Sequence, residues 1–187
     1  MCISSVGASA PVDRCAACSL TGVAAGVHMC RRWEAGSLPT VPHLHDVDIR
    51  EVRATDALAV GRMMWAAFHG SSDDEFDTVA DAEAEVFQTL DGKWGPFLAE
   101  ASLVAVLASE VVSAVLLVLD DAHDRAPLLA FAVTAPERQG QGLGGWLIEN
   151  AVRSLDALGI TELHLAVAPM NRALRLYERL GFAEVGP

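Results

Sequence analysis

The segment RQGQGLGG, residues 138–145, lies between a predicted strand and a predicted helix. The strand is the apolar run 128–133, and the helix begins near Leu143, from where leucine and alanine recur at helical spacing. Glycine lets the backbone turn tightly and come close to a ligand. The free N–H groups at a helix start, together with the helix dipole, favour an anion there. The segment therefore predicts a cradle for a pyrophosphate, with Arg138 as an additional cation.

Two other interpretations of these glycines stay open. They could serve only to let the strand and the helix pack tightly. They could also belong to a dinucleotide site, since Gly140, Gly142 and Gly145 satisfy G-x-G-x-x-G. In a dinucleotide fold, however, the first glycine follows its strand almost at once, whereas residues 134–139 intervene here.

Length and composition restrict the class of protein. The chain has 187 residues, enough for one domain with a real core, and 52% of them are apolar. No apolar run approaches the ~20 residues that cross a bilayer, so no membrane partner is expected. A formal net charge of −12 disfavours nucleic acid as a partner. The first residues do not resemble a signal peptide, and a cytoplasmic location is the default expectation.

The cysteines all precede position 31. Cys15-x2-Cys18, with His28 and Cys30, has the residue types of a zinc site. Their spacing matches no common zinc finger, so no metal site is expected. Residues 1–45 are rich in small residues without clear periodicity, and we expect them to be a poorly ordered extension.

From residue 46 to 187 the pattern becomes regular and predicts one α/β domain with a mixed sheet flanked by helices. Thr55 is the expected cap of the first helix and Asp77 that of the second. The predicted order is a strand at 47–52, helices at 55–68 and 77–90, a hairpin at 102–108 and 111–119, a strand at 127–134, a helix ending at Gly159, a strand at 163–167 and a helix at 172–180.

Two motifs resemble the GNAT acetyltransferase superfamily. The family signature Gln/Arg-x-x-Gly-x-Gly/Ala after the fourth strand is matched by residues 139–144. A second element follows about 30 residues later: an Asn, then Ala, Leu-Tyr and Gly-Phe, here Asn171, Ala173, Leu176-Tyr177 and Gly181-Phe182. The resemblance covers roughly residues 46–187 and implies transfer of an acetyl group from acetyl-CoA to an amine.

The resemblance also implies site residues. The backbone of the signature would bind the CoA pyrophosphate: Gln139, Gly140, Gln141, Gly142, Leu143 and Gly144. Val133 and Thr134 would offer main-chain partners to the pantetheine, and Asn171 its side-chain amide. Tyr177, the only tyrosine, would lie near the thioester sulfur. A phenol there can protonate the departing thiolate.

The general base is less clearly indicated. Relatives that acetylate protein N-termini often carry a Glu five residues before the Asn, but Ala166 stands at that position. His164 shares its strand face by alternation, and its unperturbed pKa near ~6.5 suits a base. A structural role for His164 stays open. The spacing from Asn171 to Tyr177 is also one residue shorter than usual in the family.

Two expectations concern the periphery. The family fold usually ends with two more strands, but only residues 182–185 remain, so the C-terminal strand is expected to be missing. The edge is then left open, completed by a partner subunit as in a homodimer, or filled by the N-terminal segment. Acidic residues between 73 and 85 could attract a cationic amine or form a solvated helix face. A second functional hypothesis is a regulatory module that binds acyl-CoA without turnover.

Overall fold

The computed structural model describes residues 26–71, 76–121 and 124–185. The strands are β1 Val27–Arg32, β2 Val47–Glu51, β3 Leu103–Leu107, β4 Glu110–Asp120, β5 Ala126–Thr134, β6 Glu162–Val167 and β7 Ala183–Glu184. The helices are α1 Ala57–Phe68, α2 Val79–Leu90, α3 Leu143–Ala157 and α4 Leu174–Arg179. Short 3-10 turns precede α1, β3 and α3 at Ala54–Asp56, Ala99–Ala101 and Pro136–Arg138.

The seven strands form one mixed sheet in the order β2-β3-β4-β5-β6-β1-β7. All neighbours are antiparallel except β5 and β6, which are parallel. Parallel neighbours need a crossover, and α3 provides it. The predicted fold class, a mixed sheet with helices, is confirmed.

Helices cover both faces of the sheet. The side chains of α3 pack on one face with alternate residues of the strands, including Leu163 and Leu165. The helices α1 and α2 pack on the other face, against Val104, Ala114 and Leu116. Because strand side chains alternate between faces, the central strands β3, β4 and β5 contribute to both cores.

The segment before residue 46 differs from the expectation of poor order. Val27–Arg32 is β1, which pairs with β6 on one side and with β7 on the other. Of the three alternatives for the edge of the sheet, the structure shows the N-terminal segment filling it. The sequence of β1 does have a strand pattern, in which His28, Cys30 and Arg32 alternate with Val27, Met29 and Arg31. A pattern of only six residues is a weak local signal. Residues 1–25 lie outside the described residues.

The segment that comes after β1 in the chain runs alongside α3. The indole N–H of Trp33 donates to Asp156 at 3.1 Å, and the side chains of Arg153 and Trp146 donate to backbone carbonyls of residues 39 and 42. Arg31 forms a bidentate ion pair with Glu149, with N–O distances of 2.7 and 3.2 Å. The N-terminal segment is thus attached to α3 at several points along its length.

The predicted caps are displaced by one residue. The N-cap position of α1 is Asp56, not Thr55; its side chain makes no hydrogen bond into the helix and instead accepts the backbone N–H of Arg53 in the preceding turn. Thr78, not Asp77, caps α2, and Asp81 completes a reciprocal capping box with it. In both cases the predicted and the observed N-cap positions are neighbouring residues with similar preference for that position, so the local sequence distinguishes them poorly.

Among the described residues, no helix is both long enough and apolar enough to cross a bilayer.

Candidate active site

The candidate site lies where β5 and β6 end. Leu128 of β5 is opposite His164 of β6, and this is the one paired position between these strands in the described ranges. Toward their carboxyl ends the two strands no longer pair. Because they are parallel, the ends of β5 and β6 and the starts of α3 and α4 meet at the same edge of the sheet. Open α/β sheets bind ligands at such edges.

The start of α3 presents unpaired backbone donors. The first hydrogen bond into the helix runs from the N–H of Trp146 to the carbonyl of Gly142, at 2.9 Å. Within the described residues, the N–H groups of 140–145 make no hydrogen bond. This row of donors at the positive end of the helix dipole is suited to an anion.

The glycines of this segment divide into two pairs. Gly140 and Gly142 have φ of +75° and +85°, and a Cβ added at either would meet nothing within 4 Å. At Gly144 a Cβ would lie 3.2 Å from the Thr134 hydroxyl oxygen, and at Gly145 it would lie 3.1 Å from Leu176 Cδ1. The first pair therefore forms the turn beside open space, whereas the second lets α3 pack closely on β5 and α4. Packing alone explains Gly144 and Gly145 but not Gly140 and Gly142.

The end of β5 is held by its own hydrogen bonds. Ser113 Oγ donates to the Val133 carbonyl at 2.9 Å and lies 2.9 Å from Thr134 Oγ1. Gln139 Nε2 donates to the Thr134 carbonyl at 3.2 Å. The Thr134 carbonyl, expected to face pantetheine, thus accepts a side-chain bond and can accept a second. The Val133 carbonyl is less available, because Val133 is opposite Ala114 in the β4–β5 ladder.

Arg138 is half-buried in the 3-10 turn that leads into the cradle. Its guanidinium forms no ion pair or hydrogen bond with the described residues. A cation without a protein partner, next to a row of N–H donors, matches the chemistry of a pyrophosphate.

Asn171 and Tyr177 follow β6, the first in the turn before α4 and the second within α4. Asn171 Oδ1 accepts the N–H of Ala173 at 2.6 Å, so this oxygen shapes the turn before α4. Tyr177 is half-buried on α4, with its ring edge-on to Phe182 at a centroid distance of 5.8 Å. Met170, the alternative to Asn171 by spacing, has 86% of its surface exposed.

His164 lies on β6 with 14% of its side chain exposed. Its Nε2 is 3.5 Å from Cys30 Sγ and 3.6 Å from Glu162 Oε2. As expected from alternation, it shares a strand face with Ala166. His164 is opposite position 128 of β5, which is six residues before Thr134. His164 is therefore about 20 Å along the strand from the end of β5 where Thr134 lies.

Sequence reasoning missed two features near the site. Leu116 pairs with Phe131 and Leu117 with Leu129, so Ala130 is an extra residue in β5 and forms a β-bulge. Bulges often occur beside active sites because they redirect the strand. The second feature is β1, which brings His28 and Cys30 next to His164. The alternating pattern of β1 is the only sequence signal for it.

The acidic residues of α2 are engaged within the fold. Glu83 pairs with Arg62 at 2.8 Å, and Glu85 pairs with Lys93 at 2.7 Å and accepts the indole N–H of Trp94. Asp81 caps the helix. These partners favour a structural role over attraction of an amine; Asp73, Asp74 and Glu75 lie outside the described residues.

Comparison with known proteins gives consistent relatives. The chain is similar to the ribosomal protein bS18-alanine N-acetyltransferase of Escherichia coli (strain K12), with 44% identity over 62 residues, 33% of this chain and 41% of that protein. A GCN5-related N-acetyltransferase from Sphaerobacter thermophilus has a TM-score of 0.63 and 18% identity, over 86% of this chain and 48% of that one. The ribosomal-protein-S18-alanine N-acetyltransferase structure from Escherichia coli has a TM-score of 0.59 and 23% identity, over 75% and 79% of the two chains.

The matched part of this chain thus spans less than half the length of the curated relative and of the Sphaerobacter protein. The two structures are similar in fold. A family model described as the acetyltransferase (GNAT) family matches residues 63–182, well over half of the chain, including the glycine cradle and α4. The chain therefore belongs to the GNAT family of acyltransferase enzymes.

Proposed function

We propose that this protein transfers an acetyl group from acetyl-CoA to a primary amine of a small molecule or peptide. The observation that carries the proposal is the row of unpaired N–H groups at 140–145, with open space beside Gly140 and Gly142. In this proposal the cradle and Arg138 bind the CoA pyrophosphate. Pantetheine then runs between β5 and β6, along the main chain of Val133 and Thr134 and past the Asn171 amide.

The proposed chemistry is direct transfer. The amine nitrogen attacks the thioester carbonyl carbon, the carbon–sulfur bond breaks and the CoA thiolate departs. Tyr177 donates its phenolic proton to that thiolate, and the amine gives up a proton. His164 is a predicted proton acceptor, although its Nε2 faces Cys30 and Glu162 in this structure.

A peptide amine is supported by the relatives. One similar sequence and one similar structure, both from Escherichia coli, are named for the alanine of a ribosomal protein. Short peptides are therefore screened as acceptors beside small amines. We further propose a cytoplasmic location, with acetyl-CoA and the amine as partners and neither nucleic acid nor membrane. A possible homodimer was expected from an open sheet edge, but β1 fills that position.

The second candidate, acyl-CoA binding without turnover, is favoured by one observation. Ala166 occupies the strand position where relatives often carry a Glu, and His164 is engaged by two neighbours. Under this alternative the cradle binds acetyl-CoA, but no amine is consumed.

Thermal unfolding in the presence of acetyl-CoA, CoA or NAD tests binding. We expect both CoA species, but not NAD, to raise the unfolding temperature. CoA release is then measured with small amines and with short peptides that carry a free N-terminus. Stabilisation without release on any acceptor favours the binding module, and stabilisation by NAD alone contradicts both candidates.

A further inference from the structure

A mixed cluster of donor side chains lies on the β1–β6 ladder, on the face opposite α3. Cys30 is opposite His164, and Arg32 is opposite Glu162. The Cys30 sulfur, a His164 ring nitrogen and a Glu162 carboxylate oxygen all lie within 4.8 Å of one another. Cys30 is 4% exposed, so the cluster is anchored in the fold rather than on a flexible surface.

An ordinary hydrogen bond explains only one of the two contacts of His164 Nε2. This atom faces both Cys30 Sγ, at 3.5 Å, and Glu162 Oε2, at 3.6 Å. If Nε2 accepts the S–H of Cys30, it has no proton to donate to the carboxylate. The distance to the carboxylate is also beyond the usual 2.7–3.2 Å range of an N–H···O bond.

The same distances fit a shared metal ion. Zinc binds sulfur at about 2.3 Å and nitrogen or oxygen at about 2.0–2.2 Å in tetrahedral geometry. Neighbouring ligand atoms of such an ion are then about 3.3–3.6 Å apart. The separations around His164 Nε2 are 3.5 and 3.6 Å, and the third pair, the Cys30 sulfur and a Glu162 oxygen, lies within 4.8 Å.

The surroundings provide supporting groups. Arg32 Nε donates to Glu162 Oε2 at 2.9 Å, and a hydrogen-bonded carboxylate is the usual arrangement around a metal ligand. The His28 ring lies on the same strand face, with its centroid 5.4 Å from that of His164. His28 or water can complete the four positions.

We propose that Cys30, Glu162 and His164 bind one zinc ion that links β1 to β6. The donor set of thiolate, imidazole and carboxylate is typical of zinc. The ion would connect residues 134 positions apart and stabilise the folded state, because the unfolded chain does not bring the three ligands together. This site is separate from the glycine cradle. A zinc-bound His164 cannot also accept a proton, so with the ion bound the amine would lose its proton to water during the proposed acetyl transfer.

The test uses the full chain, freed of metal by a chelator and then titrated with zinc or cobalt. We expect one ion per chain by elemental analysis, and with Co²⁺ a thiolate charge-transfer absorption together with tetrahedral visible bands. Cys30→Ser should abolish the charge-transfer band. His164→Gln and Glu162→Gln should each weaken binding by about tenfold or more.

Two controls sharpen the result. The double variant Cys15→Ser/Cys18→Ser should keep the ion, whereas His28→Gln weakens binding only if His28 is the fourth ligand. Loss of metal in the double variant, with full binding retained in His164→Gln, would overturn the β1–β6 site. So would full-strength cobalt absorption in Cys30→Ser, or no stoichiometric metal in the wild-type chain.

The folding of each metal-free variant is checked by circular dichroism, and thermal unfolding is recorded with and without zinc. The wild type and the double variant should gain the most stability from zinc, His164→Gln and Glu162→Gln less, and Cys30→Ser least. Because these readouts use no acetyl-CoA, failure of acetyl transfer leaves this proposal unaffected, and loss of the metal leaves the proposed function unaffected.

Discussion

At the scale of single residues, two glycines at opposite ends of α3 have similar backbone dihedral angles but different expected roles. Gly142 precedes the helix with φ +85°, and Gly159 follows it with φ +78°; a Cβ at either meets nothing within 4 Å. An alanine at either site is strained by about 1–2 kcal/mol, because the left-handed conformation disfavours a side chain. Only Gly142 belongs to the cradle.

Gly142→Ala should therefore weaken acetyl-CoA binding by about tenfold or more, since its Cβ occupies the space of the pyrophosphate. Gly159→Ala should lower stability equally and leave binding intact. Calorimetric titration with acetyl-CoA, together with thermal unfolding, measures both quantities. Equal affinities in the two variants would contradict the cradle.

Tyr177→Phe removes a hydroxyl and keeps the ring that meets Phe182. If the phenol protonates the thiolate, kcat should fall by about 100-fold while KM for acetyl-CoA changes little. Steady-state kinetics and the unfolding temperature separate this from a structural effect. A lower unfolding temperature with kcat unchanged would make Tyr177 a packing residue.

At the scale of elements, β2 is tied to the turn before α1 by one carboxylate. Asp56 Oδ2 and Oδ1 accept Arg50 Nη1 and Nη2 at 2.7 and 2.8 Å, and Oδ2 also accepts the N–H of Arg53. The Arg50 hydrogen bonds lower the pKa of Asp56, against the effect of burial, and the Arg53 N–H lowers it further. A lowered pKa in the folded state means that the ionised carboxylate favours folding.

This stabilisation is complete above the unfolded pKa of about 4 and is lost as the pH falls through the lower folded pKa. Asp56→Asn should cost about 1–3 kcal/mol of unfolding free energy at pH 7. The difference from wild type should shrink toward pH 3, as measured by urea denaturation. Glu51→Gln, an exposed carboxylate beside it, should change stability by less than about 0.5 kcal/mol at either pH.

Sequence patterns predicted the long elements because their periods are strong. The apolar spacing of α3 and the glycine after it gave a helix that ends within a residue or two of the structure. The β3–β4 hairpin was harder, since its turn has positive φ at Ala108 and Ser109, residues that rarely signal such a turn. The open turn at Gly140 and Gly142 could be predicted because its residues are local, whereas the Cys30–His164 contact depends on the register of β1 and could not.

At the scale of the whole molecule, β1 holds the far side of the sheet together. It pairs with β6 and β7, and Arg31 binds α3 through Glu149. Its partners are distant in sequence, so local periodicity cannot reveal them. That is why the strand was missed inside a segment expected to lack order.

A chain that starts at residue 26 should retain every described element, whereas one that starts at residue 33 lacks β1. The shorter chain should unfold at a lower temperature and self-associate, because the edge of β6 is exposed and β7 loses its partner. Light scattering and thermal unfolding of the two truncations test this. If both truncations are monomeric and equally stable, β1 is not needed for the sheet.

The position of β1 in the chain also determines when this strand can join the sheet during synthesis. Residues 27–32 leave the ribosome about 130 residues before β6, a delay on the order of ten seconds at ordinary synthesis rates. The meander of β2 to β5 can form during that delay, since its strands pair with sequence neighbours. Among the described strands, the first to be synthesised is therefore one of the last to be incorporated. Until it inserts, the edge of β6 is exposed in the nascent chain, and chaperones would protect it most in this period.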